Sequence, residues 1–351
     1  QYYKKIVVEY PNSLLVVESK INIADIYYKQ GDYNKAEGDY KNVLNQHGGD
    51  PKICERAVRG LIDIYKSSSQ PEKVEQLISQ YECANFSHDE KEDLYYIPAI
   101  EAYNDSAFQK AIPLFDKYLD KFPNGRYSNE VKNYTANCYY KTGDIEKAVA
   151  LYRESLTGPN TGFTELAASR VAQYLYNEGR YSEVIEYYSK LEQISSSPDV
   201  VFNAKLGLMR SHFLVENWSS AAQYADKLLK EVELNKEIKL EAHYAKGIAN
   251  YNLSSYDAAK ISLVWVFKNT TTIKAAEARY TLSDIFYEQD YLDNSMDEIT
   301  ALLKQKPAYN FWIAKGLILK TRIFVKQDDL FQAEQNLKSV IEHYPIQDDG
   351  V

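Results

Sequence analysis

Sulfur and tryptophan are scarce in this chain, which holds three Cys, two Met and three Trp in 351 residues. Cys54, Cys83 and Cys138 contain no Cys-x-x-Cys pair, so they do not read as a disulfide framework, and they are too few to decide the redox compartment. Basic clusters are missing too. No run of five basic residues occurs and the net charge is −9, which argues against a nucleic-acid partner. No apolar run approaches the ~20 residues of a membrane span, and no signal peptide opens the segment. The five histidines (His47, His88, His212, His243 and His343) never stand at a 3–4 spacing. A His-Glu-x-x-His motif, a phosphate-binding glycine loop and a nucleophile elbow are all lacking. The expectation is therefore no metal, no cofactor and no catalysis.

What is abundant is tyrosine: 32 residues against 12 Phe. Tyr buries a large ring while its hydroxyl asks for water or a partner. Such a composition suits a thin structure with much half-exposed packing surface. Cys54 and Cys138 fall in apolar helical stripes and read as small core residues, whereas Cys83, in the polar stretch ECANFSHDEKED, reads as an exposed thiol.

The chain also repeats itself. YYKQGDYNKAEGDYKNVL, from Tyr27 to Leu44, returns 112 residues later as YYKTGDIEKAVALYRESL, from Tyr139 to Leu156. Aligned on the residue after the turn, the unit recurs at Tyr33, Pro71, Phe108, Ile145, Tyr181, Trp218, Tyr256, Tyr291 and Leu330. The spacings are 38, 37, 37, 36, 37, 38, 35 and 39 residues. Three residues on stands Ala36, Val74, Ala111, Ala148, Val184, Ala221, Ala259 or Ala333, and only the Tyr291 unit departs, with Asn294. Nine units at a nearly fixed period predict a solenoid.

Each unit reads as two helices. Apolar residues recur at 3–4 spacing before and after the turn, and Gly31, Gly143 and Gly179 end first helices cheaply. Pro123 and Pro345 stop second helices. Small residues such as Ala24, Ala136 and Gly247 in first helices, and Ala36, Ala111 and Ala148 in second helices, allow close backbone approach.

These residues resemble the tetratricopeptide repeat, with its small residue and aromatic in the first helix, Gly-x-Tyr turn, Ala then aromatic in the second helix, and closing Pro. The resemblance runs through most of the chain and is weakest at the Pro71 and Tyr291 units. It implies an all-α fold, an α–α superhelix of about nine helix-turn-helix repeats, and a non-catalytic protein-binding role. The loops Tyr-Pro-Asn-Ser (10–13) and Phe-Pro-Asn-Gly-Arg-Tyr (122–127) further resemble those of bacterial envelope tetratricopeptide proteins of the outer-membrane assembly lipoprotein type. That implies a periplasmic or outer-membrane-associated location, with the cytoplasm as the alternative.

The expected organisation is one continuous array over 1–351: residues 1–11 a trailing second helix of a preceding repeat, then nine repeats from about 13 to 345. Without polar capping helices at either end, it reads as a fragment of a longer protein.

In such an array the first helices line a concave groove. One position there is filled in turn by Tyr28, Lys66, Tyr103, Tyr140, Tyr176, Phe213, Tyr251, Phe286 and Val325, with Asn104, Asn177 and Asn252 following three of them. The seven rings and three amides are the candidate ligand-binding residues. They either contact an extended peptide, or a sugar, or simply pack neighbouring helices together. One turn earlier, Asp25 and Asp63 give way to Arg210 and Arg322, a gradient that could orient a charged ligand. The reading is a scaffold for a protein or peptide partner, with a glycan-binding or polysaccharide-export scaffold as the alternative.

Overall fold

The computed structural model describes residues 1–68, 70–83, 86–158 and 160–344, apart from the side chain of His343. Ser69 of the turn before Pro71, and the closing Pro345, lie outside the described residues. The chain forms two compact units, Gln1–Phe163 and Thr164–Val351. The first holds α1 (Tyr2–Glu9), α2 (Leu15–Lys29), α3 (Tyr33–His47), α4 (Pro51–Ser67), α5 (Pro71–Gln80), α6 (His88–Asn104), α7 (Phe108–Lys121), α8 (Ser128–Thr142) and α9 (Ile145–Ser155). The second holds α10 (Thr164–Asn177), α11 (Tyr181–Ile194), α12 (Pro198–Leu214), α13 (Trp218–Leu229), α14 (Lys236–Asn252), α15 (Tyr256–Asn269), α16 (Ile273–Glu288), α17 (Leu292–Lys304), α18 (Asn310–Lys326) and α19 (Leu330–His343). Among the described residues every regular element is a helix, and successive helices within a unit pack as antiparallel neighbours do in an α–α superhelix.

The turns explain the boundaries. Gly31, Gly143 and Gly179 take φ of 77°, 92° and 71°, the left-handed conformation that glycine reaches without a Cβ penalty. Just after them, Asp32 and Asp144 accept the backbone N–H of Lys35 and Lys147, capping the second helix. Elsewhere the left-handed position is held by Ser106, Glu216, Ser254, Asp290 and Asp328. Each of those non-glycine residues carries roughly 1–2 kcal/mol of steric cost.

Asp290 corrects one register. Its left-handed turn starts α17 at Leu292, not Tyr291, so the small residue three places on is the wholly buried Ser295 rather than Asn294. The apparent exception in the repeat is a one-residue shift. The same shift places Tyr287, not Phe286, at the position equivalent to Tyr28.

The core runs along the interior of each unit. Ala24, Ala36, Ala111, Ala136 and Ala148 are fully buried, as the close approach of paired helices requires. Glycine serves the same end between successive hairpins. A Cβ at Gly60 would lie 2.3 Å from the Tyr40 ring, and one at Gly207 would lie 2.5 Å from the Tyr188 ring. Bulk on one helix thus demands its absence on the next.

The cysteine reading needs correction as well. Cys54, buried on α4, is joined to Cys83 by a disulfide with Cα atoms 6.1 Å apart. Cys83 is therefore not a thiol at all, and the loop it sits in is folded back onto α4. Cys138 alone is free; it is buried, and burial pushes its thiol up to about 12.

Candidate functional site

The predicted ring positions lie on first helices, and all are half-buried. Their nearest partners explain why. Each ring except Phe286, which stands six residues before Leu292, sits five residues before the first residue of the following helix, and the turn folds the two together. Tyr28 lies 5.6 Å from Tyr33, Tyr103 5.8 Å from Phe108, Tyr176 5.3 Å from Tyr181 and Phe213 5.4 Å from Trp218. Edge-on and tilted geometries of this kind suit the ring quadrupoles. Each of these four rings staples its own hairpin.

Beyond the staple their roles diverge. Tyr103 is drawn into packing: it meets Tyr134 at 4.6 Å and accepts from Asn137 Nδ2 at 2.5 Å. Tyr28 shares a hydrogen bond with Ser67 at 3.3 Å, and Tyr251 donates to Asp284. Tyr140 is half-buried near the end of α8. Phe286 sits under Lys260, 5.9 Å from its ring. Of the amides, Asn104 is exposed, Asn177 lines a cavity, and Asn252 donates to the Ile248 carbonyl of its own helix at 2.9 Å.

Tyr176 and Phe213 are brought together. Both line a cavity of about 290 Å³ in the second unit, near the lower end of ligand-pocket volumes. Met209, Leu214 and Ala245 add apolar wall, and Tyr244, 5.8 Å from Phe213, adds a third ring. A second cavity of about 390 Å³, lined by Gln173, Asn177, Tyr188 and Asn203, lies on the other side of Tyr176. Tyr176 is thus a partition between two hollows.

The charged groups of the smaller cavity and the Tyr244 hydroxyl are already matched. Arg210 grips Glu241 with both arms of its guanidinium, at 2.7 and 2.6 Å. Tyr244 donates to Glu277 at 2.6 Å, and burial nonetheless holds that carboxyl above its ordinary range. Lys274 Nζ stands 4.9 Å from the Tyr244 ring, a cation–π arrangement. What the cavity offers an incoming group is therefore mainly ring and aliphatic surface.

This pairing also revises the charge gradient. Asp25 accepts from Tyr40 and from Arg56 at 3.1 Å, and Arg322 lies 3.8 Å from Asp284 and 3.6 Å from Glu288. Asp25, Arg210 and Arg322 are thus rungs between neighbouring first helices rather than bare ligand contacts. Tyr244, Glu241 and Lys274 were not read as site residues. A signal existed: Tyr244 and Glu241 follow Phe213 and Arg210, respectively, by 31 residues, about two helical turns short of a repeat.

Comparison with known proteins matches the same hairpins. Family models described as tetratricopeptide repeat match residues 16–45, the α2–α3 hairpin, and residues 99–162, from the end of α6 past α9. DnaJ homolog subfamily C member 3 of Gallus gallus is 24% identical over 192 residues, 50% of this chain and 32% of that protein. The matched part is about a third of that relative's length. Among solved structures, a tetratricopeptide repeat protein from Parabacteroides merdae is 14% identical, covering 72% of this chain and 92% of its own, with a TM-score of 0.35. YrrB, described as a tetratricopeptide protein with an unusual peptide-binding site, is 15% identical, covering 66% and 93%, with a TM-score of 0.36. Among the described residues no helix is long and apolar enough to cross a membrane.

Proposed function

We propose that this chain, whose tetratricopeptide-like hairpins belong to a repeat type that generally mediates protein–protein contact, is a non-catalytic scaffold that holds an extended peptide. The observation that carries the reading is the cavity around Tyr176, Phe213 and Tyr244. Its Arg210–Glu241 and Tyr244–Glu277 pairs leave few polar groups to meet a hydroxyl-rich ligand. A sugar hydroxyl would have to compete with those pairs and leave a half-buried charge unpaired. An apolar side chain would displace only water. The glycan alternative is accordingly the weaker of the two.

The test is a peptide array and a glycan array probed with the wild type and with Phe213→Ala, melting curves run in parallel. Peptides enriched in large apolar residues, with affinity falling at least about thirtyfold in the variant, a hot-spot-sized loss, support the reading. Glycan signal without peptide signal overturns it.

We further propose that the protein works in an oxidising compartment, the periplasm in a bacterial source. The Cys54–Cys83 bond supports this, since such bonds persist where thiols are not kept reduced. Thiol trapping of the protein in intact cells tests it. Two freely labelled cysteines at positions 54 and 83 would return the protein to the cytosol.

A further inference from the structure

Lys66 breaks the series of rings. It occupies the position held elsewhere by Tyr28, Tyr103, Tyr176 and Phe213, and five residues on stands Pro71 where those turns carry Tyr33, Phe108, Tyr181 and Trp218. The staple of two rings is thus missing from the α4–α5 hairpin. At that place a cavity of about 280 Å³ opens, lined by Lys66, Pro71, Val74, Ile97, Pro98 and Glu101 among others. The hollow stands where the ring pair would be.

A proline interrupts the helix in the cavity wall. Pro98 lies inside α6 and has no N–H for the carbonyl of Leu94, four residues before it, and both residues line the hollow. That oxygen lacks its usual helical donor. Lys66 supplies a cation that already leans on an aromatic face, 5.4 Å from Phe86. Ile97, 47% exposed, gives the mouth an apolar lip. The three features ask for one kind of group: a flat ring, polarisable enough to sit beside an ammonium, carrying a hydrogen that can be donated.

We propose that the α4–α5–α6 cleft binds a tryptophan or tyrosine side chain of an extended peptide, which completes from outside the staple that this hairpin lacks. The ring fills the space of the absent pair, Lys66 meets its face, and its N–H or O–H is offered to the Leu94 carbonyl. This rests on the peptide-scaffold reading, but concerns a different hollow in a different unit.

The experiment uses N-acetyl-tryptophanamide, its N1-methyl analogue and N-acetyl-leucinamide as probes, followed by saturation-transfer NMR on the full chain. The tryptophan amide is expected to bind, the methyl analogue about fivefold more weakly, the loss of one hydrogen bond, and the leucine amide not measurably. Lys66→Tyr installs the ring that the other hairpins carry and should abolish binding while the melting temperature holds or rises. Ile97→Arg, at an exposed lip, blocks the mouth without touching the core and should do the same if Lys66→Tyr fails to fold. Phe213→Ala should leave this binding intact, which separates the cleft from the cavity of the second unit. Equal binding of the leucine and tryptophan amides, or undiminished binding in both blocking variants, overturns the proposal.

Discussion

The hydroxyl of Tyr118 donates to Oε2 of Glu92 at 2.7 Å, and both side chains are buried, at 0% and 2% exposure. The same carboxylate oxygen accepts the backbone N–H of Arg126 at 3.0 Å, and the Tyr118 oxygen accepts that of Tyr127 at 3.1 Å. The loop 122–127 is a lid closed over one buried acid. Gly125 is needed there because a Cβ would stand 2.6 Å from the Tyr118 oxygen and 2.8 Å from Glu92. The Pro-Asn-Gly-Arg wording of this loop thus has a local cause. Glu92→Ala strands two donors in the interior and should cost about 3 kcal/mol or more. Glu92→Gln, which keeps an acceptor, should cost clearly less. Urea denaturation of the two variants decides it; equal losses would mean that packing rather than the carboxylate holds the lid.

Glu216 is a side chain where other units have glycine, with φ at 57°. Glu216→Gly should relieve about 1 kcal/mol of steric strain and raise the melting temperature. The same change at Gln30, whose backbone is right-handed helical at φ −84°, should lower it, since glycine there only adds freedom to the unfolded chain. Calorimetry on both gives opposite signs, or the account of the turns fails.

The Cys54–Cys83 bond spans a separation of 29 residues and ties the loop after α5 to α4. Reduction, or Cys83→Ser, should cost about 2–4 kcal/mol through the freedom returned to the unfolded chain. Hydrogen exchange should show the loss first in α5, a helix of 10 residues without a side-chain N-cap. Protection unchanged in α5 after reduction would make the bond incidental to the fold.

His243 stacks on Trp265 with ring centroids 4.2 Å apart, and its Nδ1 is buried. Burial first, then Lys239 and Lys246, pull its pKa down to about 4, with Asp226 opposing. The folded state therefore resists protonation that the unfolded chain accepts from about 6.5 downward. Stability is fully present above that value and should fall as pH drops from about 6.5 to about 4, levelling off below. His243→Gln should remove that part of the acid sensitivity. Melting curves across the interval, parallel for wild type and variant, would contradict it.

Much of this molecule is local chemistry and was readable as such. The period, the paired helices, the small residues and the glycine turns depend on contacts within about one hairpin, so sequence spacing encodes them directly. The Tyr291 unit was read one residue early because Tyr291, an aromatic like the helix-starting Tyr33, Tyr181 and Tyr256, is there the N-cap, and the helix starts at Leu292. The hydroxyl pairs of the tyrosines were not readable. Tyr40 with Asp25, Tyr65 with Glu37, Tyr224 with Glu192 and Tyr244 with Glu277 join different helices. They explain at once why tyrosine and acid are both abundant, yet nothing in a single helix specifies them. The disulfide and the three hollows are of the same kind. Spacing sets which face of a helix a residue occupies, but whether a ring there meets a partner, a cation or an empty volume depends on side chains one repeat away. Only packing brings those together.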